Sequence, residues 1–340
     1  MRYPAFWQRR GLRSWLLRPL SLVTCMVARR RRAAAARGAA RLQDGCPVVV
    51  IGNLTVGGTG KTPVLIALAR ALAVHGRRVG VISRGYGARI GIEPRDVSEA
   101  TGPDAVGDEP WLIHHTLNVP VFVHPDRVRA AEQLRARHPE VDVILSDDGL
   151  QHHPLPREVE IVVIDGVRRL GNRLCLPAGP LRESAQTLDV VDFVIVNGEQ
   201  FSDDQWAVNF ELTMVRDLFD QSTMSMDDFI LRFGTKPVVA LAGIGHPEKF
   251  FNALRDRGLS LETYALDDHQ PVPPALIHYL RRVGNPIVMT EKDAVKWQQN
   301  RPSWHVRPEQ VFAAIGQIQL PDELVRAILD KLPPQPECPT

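Results

Sequence analysis

Short apolar runs recur along the first two hundred residues and alternate with stretches of helical periodicity. The runs are rich in Val and Ile and are bounded by Gly, Pro or polar residues, as in strands of a parallel sheet that are buried on both faces. The predicted strands cover residues 47–51, 79–83, 119–123, 141–146, 159–165 and 191–196. Helical patterns, such as those over residues 108–117 and 126–138, separate them. This alternation predicts an α/β fold with a parallel sheet flanked by helices.

A smaller set of elements follows a mixed region at residues 200–235. Apolar runs at Val238–Ala242 and at 286–290, with a helical pattern over residues 247–257, predict a second α/β lobe. The length of 340 residues also suits two domains. The predicted organisation is an N-terminal helix, a phosphate-loop (P-loop) domain, a smaller α/β lobe and a disordered tail. These segments cover residues 1–45, 46–235, 236–332 and 333–340.

Composition excludes several classes but hides a charge asymmetry. The chain is 44% hydrophobic and 24% charged, with a formal net charge of +2, which excludes collagen-like and wholly disordered proteins. The first 45 residues, however, carry eleven Arg and one acidic residue, a charge of +10, whereas residues 46–340 hold 30 basic and 38 acidic side chains. A basic head on an acidic body points to a polyanionic partner.

The basic N-terminal segment also contains many apolar residues. Residues 7–28 interleave Trp and Leu with Arg, but their longest uncharged stretch is too short to span a bilayer. An amphipathic helix at an anionic membrane surface fits better. A cleaved signal peptide, a solvated helix packed on the body and an RNA-contacting arm are the alternatives.

The four cysteines form no metal-binding or disulfide pattern. Cys25, Cys46, Cys175 and Cys338 include no CxxC pair, so we expect reduced thiols in a cytosolic protein.

A Gly-rich loop follows the first predicted strand. Residues 52–63 read GNLTVGGTGKTP and lead into a helical pattern over residues 64–75. In such a strand–loop–helix unit the backbone binds phosphates, Lys61 reaches the β- and γ-phosphates of a nucleotide, and Thr62 binds Mg²⁺. The strict pattern would place Gly at position 55, where this chain has Thr55. The alternative is a Gly-rich turn that binds no nucleotide.

A pair of acidic residues follows the strand predicted at residues 141–146. Asp147 and Asp148 come directly after it. A carboxylate at the end of a strand beside a phosphate loop holds Mg²⁺ or its waters in nucleoside triphosphatases. An exposed turn is the alternative, which the presence of Lys61 and Thr62 disfavours.

Seven motifs together resemble the tetraacyldisaccharide 4'-kinase family, the lipid A kinases of Gram-negative bacteria. In chain order they are GNLTVGGTGKTP (52–63), SRGYG (83–87), GDEP (107–110), DDGLQH (147–152), VIDG (163–166), LPAGPLRE (176–183) and TEKDAVK (290–296). The resemblance covers roughly residues 10–300. The non-standard Thr55 belongs to the family pattern.

The resemblance implies an activity and a location. ATP, with Mg²⁺, would donate its γ-phosphate to the 4'-hydroxyl of a tetraacylated glucosamine disaccharide 1-phosphate. The protein would act as a peripheral enzyme at the cytoplasmic face of the inner membrane, bound to its anionic surface, and we expect no nucleic-acid partner and no obligate protein partner.

The resemblance also assigns residues. Asp108 would be the base toward the sugar hydroxyl, supported by His269 of an Asp268-His269 pair. Asp147, Asp148 and Gln151 would serve the metal and nucleotide. The loop residues at the nucleotide are Thr55, Gly57, Gly58, Thr59, Gly60, Lys61 and Thr62, and further family-motif residues are Arg84, Tyr86, Arg127, Arg182 and Glu183.

Some of these assignments have local alternatives. Asp108 also fits a helix N-cap. The family often has a second His after the Asp-His pair, where this chain has Gln270. With Asp108 and His269 on different predicted lobes, we expect the lobes to close when both substrates bind.

Two other classes of protein compete with the kinase. A P-loop switch or metallochaperone GTPase would need an Asn-Lys-x-Asp motif, and Thr290-Glu291-Lys292-Asp293 is off by one position. A nucleic-acid-binding protein would use residues 1–41 but leaves Lys61, Thr62 and Asp147 unexplained.

Overall fold

The polypeptide divides into two units, each built around its own β-sheet. The computed structural model describes residues 4–37, 42, 44–88, 90–266, 284–299 and 310–335. The larger unit comprises Tyr3–Asn209 and Ile318–Thr340, and the smaller comprises Phe210–Gln317. The smaller unit thus begins ahead of the boundary predicted at residue 236. Asp268 and His269 lie outside the described residues.

The larger unit contains an eight-stranded sheet. In order along the chain its strands are β1 (Val48–Gly52), β2 (Val79–Ser83), β3 (Arg95–Asp96), β4 (Val121–Val123), β5 (Val143–Asp147), β6 (Val159–Asp165), β7 (Phe193–Asn197) and β8 (Trp206–Val208). Their spatial order is β3-β4-β2-β5-β1-β6-β7-β8, and every pairing is parallel except β3 with β4. The predicted parallel α/β fold is confirmed; only the short edge strands β3 and β8 were not predicted.

Helices separate most of the strands. Among the residues that the structure describes, the helices are α1 (Leu12–Arg37), α2 (Lys61–Val74), α3 (Pro103–Val106), α4 (Asp108–Leu117), α5 (Arg127–Arg137), α6 (Met226–Phe233), α7 (Pro247–Asp256), α8 (Glu291–Gln299) and α9 (Asp322–Lys331). Local chemistry sets their ends: the Asp126 side chain accepts hydrogen bonds from the backbone N–H groups of Val128 and Arg129 and so caps α5.

Strand register places three strand ends at one edge of the sheet. Ile51 of β1 pairs with Asp147 of β5, and Ile82 of β2 pairs with Ser146 of β5. The chain therefore leaves β1, β2 and β5 at the same level. The loops that follow these strands carry the Gly-rich, SRGYG and DDGLQH motifs, so the parallel register collects the motifs at the carboxyl edge of the sheet.

The smaller unit contains a six-stranded sheet. Its strands are β9 (Phe210–Asp217), β10 (Thr223–Ser225), β11 (Val238–Ala242), β12 (Leu261–Ala265), β13 (Ile287–Thr290) and β14 (Val311–Ile318), in the order β10-β9-β14-β13-β11-β12. Phe229, Phe233 and Phe312 pack together in its core, with ring centroids 4.9–5.4 Å apart. These contacts join α6 to β14 and stabilise the unit by burial of apolar area.

Helix α1 packs on the larger unit through small and polar side chains. Ser14 and Ser21 are buried, and Asn172 Nδ2 donates a hydrogen bond to Ser14 Oγ at 3.2 Å. Ahead of the helix, the backbone N–H of Asn172 donates to Trp7 O at 2.7 Å, and Trp7 Nε1 donates to Pro177 O at 3.1 Å. The start of α1 is therefore fixed to the segment around residues 172–178.

The opposite side of α1 is apolar and exposed. We call it the outer face; its members, between 43% and 74% exposed, are Leu12, Trp15, Leu16, Leu20, Leu22, Val23, Met26 and Val27. By the 3.6-residue helical repeat these positions lie opposite Ser14, Ser21 and Cys25. None of the helices that the structure describes is long and apolar enough to cross a bilayer.

The start of the C-terminal tail is held in place. Arg77 Nη1 donates a hydrogen bond to Pro333 O at 3.0 Å, and Gln335 Nε2 donates to Gly76 O at 2.7 Å. The predicted disorder from residue 333 onward is therefore wrong for residues 333–335, and residues 336–340 lie outside the described part of the chain.

Candidate active site

The Gly-rich loop joins β1 to α2, as predicted. Gly57 has φ +99° and Gly60 has φ +91°, in the left-handed region that favours glycine. A Cβ on Gly60 would also lie 2.3 Å from Asn197 Nδ2. Gly60 is the N-cap of α2, so Lys61 and Thr62 lie in its first turn. The helix dipole therefore adds positive potential beside Lys61.

Side chains from neighbouring segments hold this loop in shape. Asn53 Nδ2 donates hydrogen bonds to Gly57 O at 3.1 Å and to Thr59 Oγ1 at 3.4 Å. Asn197 Nδ2 donates to Thr59 O at 3.5 Å, and Arg168 donates to the carbonyl of Gly58. Thr55 is buried and forms a bridge with Leu181. The loop is thus preorganised by contacts with distant parts of the chain.

Asp148 stands between two cations. Its Oδ1 lies 3.3 Å from Lys61 Nζ and its Oδ2 lies 3.2 Å from Arg182 Nη1. Burial raises the pKa of Asp148, but Lys61 and Arg182 outweigh that effect and hold the pKa at about 2. Asp148 is therefore ionised at neutral pH.

Gln151 joins this group to the Gly-rich loop. Arg182 Nη1 donates a hydrogen bond to Gln151 Oε1 at 3.2 Å, and Gln151 Nε2 donates to Asn53 O at 3.1 Å. The predicted residues Lys61, Asp148, Gln151 and Arg182 consequently form one connected polar group.

Asp147 occupies the end of β5 and is 1% exposed. Its Oδ2 accepts a hydrogen bond from Ser83 Oγ at 3.4 Å. Burial raises the pKa of Asp147 to about 7, and the negative charge of Glu109 contributes further. Its Oδ1 has no hydrogen-bond partner among the described residues. A buried carboxylate oxygen with no donor is suited to a cation.

The donor set fits Mg²⁺. Thr62 supplies a hydroxyl, and Asp147 and Asp148 supply carboxylates at the neighbouring strand end. In the described part of the chain, no cluster of three or more His, Cys, Asp or Glu side chains forms a metal cage. Mg²⁺ does not need one, because it usually retains waters and binds substrate phosphates beside one or two carboxylates.

Asp108 begins α4, immediately after Gly107. Gly107 is the N-cap, with φ +99°, so the N-cap alternative for Asp108 is wrong. A Cβ on Gly107 would lie 2.9 Å from Tyr86 O, which shows that α4 starts against the SRGYG loop. Asp108 is partly buried, next in sequence to the Glu109 whose charge acts on Asp147. The segment that carries Asp108 thus adjoins the SRGYG loop, and its Glu109 acts on Asp147.

Arginines line the same region. Arg127 is 6% exposed, and its Nη2 lies 3.5 Å from the Asp148 carbonyl oxygen. Burial lowers the pKa of Arg127, and the positive charge of Arg84 lowers it further. Arg84 and Tyr86 are exposed on the SRGYG loop. Arg127 is thus buried beside Asp148, whereas Arg84, whose charge acts on Arg127, is accessible.

Glu183 is buried beneath this group and is 2% exposed. Thr187 Oγ1 donates a hydrogen bond to Glu183 Oε2 at 3.4 Å. Burial raises the pKa of Glu183, whereas Arg32 and Gln151 lower it. Glu183 is joined to this group through its neighbour Arg182, which contacts Gln151 Oε1 at 3.2 Å.

Three site residues were not singled out by the sequence analysis: Asn53, Asn197 and Glu109. Asn53 and Glu109 lie inside predicted motifs, and Asn197 directly follows the strand predicted at residues 191–196, which is the only local signal that marks it. Position at the carboxyl edge of the sheet is what brings Asn197 to the loop.

Comparison with known proteins agrees with this geometry. The sequence model of the family described as Tetraacyldisaccharide-1-P 4'-kinase matches residues 13–333. The chain belongs to this family. The resemblance found in the motifs is thereby confirmed.

Individual members of the tetraacyldisaccharide-1-P 4'-kinase family are similar over most of their length. The chain is 40% identical to a tetraacyldisaccharide 4'-kinase of Hydrogenovibrio crunogenus over 313 residues, covering 89% of this chain and 92% of that protein. It is 44% identical to one of Alkalilimnicola ehrlichii over 318 residues, covering 90% and 93%. The crystal structure of LpxK from Aquifex aeolicus in complex with ATP is 26% identical, with a TM-score of 0.73, covering 95% of this chain and all of that one.

Proposed function

We propose that the protein transfers the γ-phosphate of ATP to the 4'-hydroxyl of a tetraacylated glucosamine disaccharide 1-phosphate in lipid A biosynthesis. Membership of the 4'-kinase family makes it a kinase. The observation that carries the proposal is the joint position of Lys61, Asp147 and Asp148 beside a Gly-rich loop that opens a helix.

The loop and α2 bind the phosphates of ATP. Backbone N–H groups of the loop and the positive end of the α2 dipole attract the phosphate oxygens. Lys61 exchanges part of its contact with Asp148 for the β- and γ-phosphates. Its charge then stabilises the negative charge on the equatorial oxygens during transfer.

Thr62, Asp147 and Asp148 would hold Mg²⁺. When bound, the ion would neutralise phosphate charge and help to position the nucleotide. The unpartnered Oδ1 of Asp147 supports this assignment.

Asp108 accepts the proton of the 4'-hydroxyl. The acceptor oxygen forms a bond to the γ-phosphorus while the bond from that phosphorus to the leaving oxygen of ADP breaks, and the hydroxyl proton moves to the Asp108 carboxylate. Arg127 and Arg182 add positive charge close to the paired aspartates. We expect His269 to support Asp108, so that His269→Ala lowers kcat.

The basic N-terminal segment holds the enzyme on the membrane that contains its lipid substrate. The outer face of α1 is exposed and apolar, and each Leu or Val side chain that is fully buried in lipid contributes roughly 1.5–3 kcal/mol. The arginines of residues 1–45 attract anionic headgroups. We assign the protein to the cytoplasmic face of the inner membrane as a peripheral enzyme.

A direct transfer assay tests this function. The protein is incubated with γ-labelled ATP, Mg²⁺ and a tetraacyl disaccharide 1-phosphate in mixed micelles. We expect label in the lipid with the wild type and background label with Lys61→Ala. Folded wild-type protein that labels no lipid would contradict the proposal.

A further inference from the structure

Arg32, near the end of α1, connects the N-terminal helix with two acidic side chains of the larger unit. One guanidinium nitrogen, Nη2, contacts Glu160 Oε2, and the other, Nη1, lies 3.7 Å from Glu183 Oε2. The Arg32 side chain is 21% exposed, whereas the Glu183 side chain is 3% exposed. The helix therefore directs its charge inward at this position.

The neighbouring arginines of α1 behave differently. Arg29, Arg30 and Arg31 are exposed and form no ion pair within 4.0 Å among the described residues. Arg32 thus contacts acidic side chains of the larger unit, while the three arginines before it face solvent.

Glu183 transmits this contact to the Gly-rich loop. The backbone N–H of the adjacent Arg182 donates a hydrogen bond to the carbonyl of Leu54 at 2.7 Å, and its side chain donates to Gln151, which in turn bonds the carbonyl of Asn53 at 3.1 Å. Asn53 donates to the Gly57 carbonyl. A path of polar contacts and one backbone link thus leads from α1 to the loop that carries Lys61.

A second branch leads to the paired aspartates. Arg182, next to Glu183 in sequence, donates to Gln151 Oε1 at 3.2 Å and to Asp148 Oδ2 at 3.2 Å. Asp148 in turn lies 3.3 Å from Lys61 Nζ. Any displacement of the Glu183 carboxylate therefore reaches the phosphate-binding lysine through two routes.

Other charges face Glu183 but do not replace Arg32. His153 Nε2 lies 3.7 Å from Glu183 Oε1, and burial and nearby arginines lower the pKa of His153 to about 4. That histidine is neutral at neutral pH. Among the described residues, Arg32 is the cation within ion-pair distance of Glu183 at neutral pH.

We propose that Arg32 is a positioning residue for phosphoryl transfer, acting through Glu183 to hold Gln151, Arg182 and the Gly-rich loop in their active arrangement. Helix α1 is then part of the catalytic scaffold in addition to its outer apolar face. This inference rests on the proposed kinase function.

Arg32→Gln is the test variant, and Arg30→Gln is its control, because it removes an equal charge from an exposed position of the same helix. We expect kcat of Arg32→Gln to be about ten-fold below that of Arg30→Gln. The KM for the lipid and the binding to anionic vesicles should be equal in the two variants. Equal kcat values would overturn the proposal.

Arg32→Lys is a second test variant. It keeps a positive charge but lacks the fork that reaches both carboxylates, so we expect kcat between the wild type and Arg32→Gln. Should Arg32→Gln fail to fold, Arg32→Lys decides alone, and a wild-type kcat in it would overturn the proposal.

A double mutant checks that Arg32 acts through Glu183. We expect Arg32→Gln combined with Glu183→Gln to have the kcat of Glu183→Gln alone. Additive losses would mean that the path through Glu183 is wrong.

ATP affinity separates this inference from the proposed function. The dissociation constant for ATP is measured without lipid for Arg32→Gln and Arg30→Gln. We expect weaker binding only in Arg32→Gln, even if the wild type phosphorylated no tetraacyl disaccharide. If the two variants had equal ATP affinities and equal kcat values, the positioning role of Arg32 would be wrong, while the proposed kinase function would be unaffected.

Discussion

Lys61 Nζ lies 3.3 Å from Asp148 Oδ1, so the lysine that we assign to the phosphates and a carboxylate that we assign to the metal neutralise one another. Arg182 contacts the other oxygen of the same carboxylate at 3.2 Å. The pair keeps the Lys61 side chain directed toward the site before the nucleotide arrives. Preorganisation of this kind lowers the cost of ordering the side chain during catalysis.

Replacing Lys61 should remove transition-state stabilisation without unfolding the protein. We expect Lys61→Ala to lower kcat by about 10²–10³-fold, the usual effect of losing one charge-stabilising group. Steady-state kinetics with the lipid substrate measure this effect. Lys236→Ala removes an exposed lysine of the smaller unit and should leave kcat unchanged. A Lys61→Ala enzyme with wild-type kcat would contradict the assigned role.

We expect the Asp147 carboxylate to lower the stability of the fold at high pH while being required for phosphoryl transfer. Its pKa is raised from 3.8 to about 7, so between these pH values the folded protein holds a proton that the unfolded chain has lost. Stability from this group therefore falls as pH rises through that window. At pH 8 in EDTA, Asp147→Asn should raise the free energy of unfolding by on the order of 1 kcal/mol or more while abolishing transfer.

The neighbouring residue provides a control of opposite sign. The pKa of Asp148 is lowered from 3.8 to about 2, so its ion pairs stabilise the fold above pH 3.8, and that stabilisation is lost as pH falls through about 2. Asp148→Asn should therefore lower the melting temperature at pH 8. Asparagine tolerates the φ of +49° at this position, so backbone strain does not confuse the comparison. Equal shifts in both variants would refute these electrostatic assignments.

Asp108→Asn tests the general base. We expect kcat to fall by about 10²–10⁴-fold with little change in KM for ATP, because general-base catalysis acts on proton transfer and not on nucleotide binding. Asp104→Asn, an exposed aspartate of the preceding helix α3, is the control. An Asp108→Asn enzyme with an unchanged kcat would require another base.

The outer face of α1 should determine membrane binding but not stability. We expect Leu16→Gln combined with Leu20→Gln to weaken binding to anionic vesicles by about ten-fold or more, since apolar burial in lipid is lost. The melting temperature should not change, because both side chains are about 60% exposed, at 62% and 58%. Val74→Gln, which alters an 85% exposed position on α2, controls for general surface effects.

Cys25 and Cys175 provide a chemical test of how α1 docks. Their Sγ atoms are 2.7 Å apart, and both residues are free thiols. We expect diamide to link them, with the two thiols losing two protons and two electrons to the diazene, which becomes a hydrazine. Mass spectrometry of a digest would detect the joined peptides, and Cys25→Ser should prevent their formation.

Cys46 serves as an internal control in that experiment. It is buried, and its Sγ lies 3.9 Å from the carbonyl oxygens of Pro47 and Val141 instead of beside another thiol. Failure of Cys25 and Cys175 to cross-link in folded protein would show that α1 packs differently.

The alternation of apolar runs and helical patterns predicted the parallel α/β fold because each signal is local. A strand buried on both faces must be apolar over four or five consecutive residues, as in Val48–Gly52, whatever its partners are. The positions of Lys61, Thr62 and Asp147 could be predicted for the same reason, since each lies directly at the end of a strand or the start of a helix.

Contacts between distant segments could not be predicted in this way. The support of Gly60 by Asn197 depends on the order of β1, β6 and β7 in the sheet, which no local pattern records. The cap at Gly107 depends on the close approach of Tyr86.

The sequence by itself determined that the N-terminal segment is basic and apolar, that a phosphate loop opens α2, and that an acidic pair follows β5. Only the tertiary structure decided which side of α1 faces outward and that Arg32 turns inward to Glu183. The reason is that composition fixes which groups a helix offers. Burial of Ser14 and Ser21 against the larger unit fixes its rotation, and that rotation selects the residues that remain exposed.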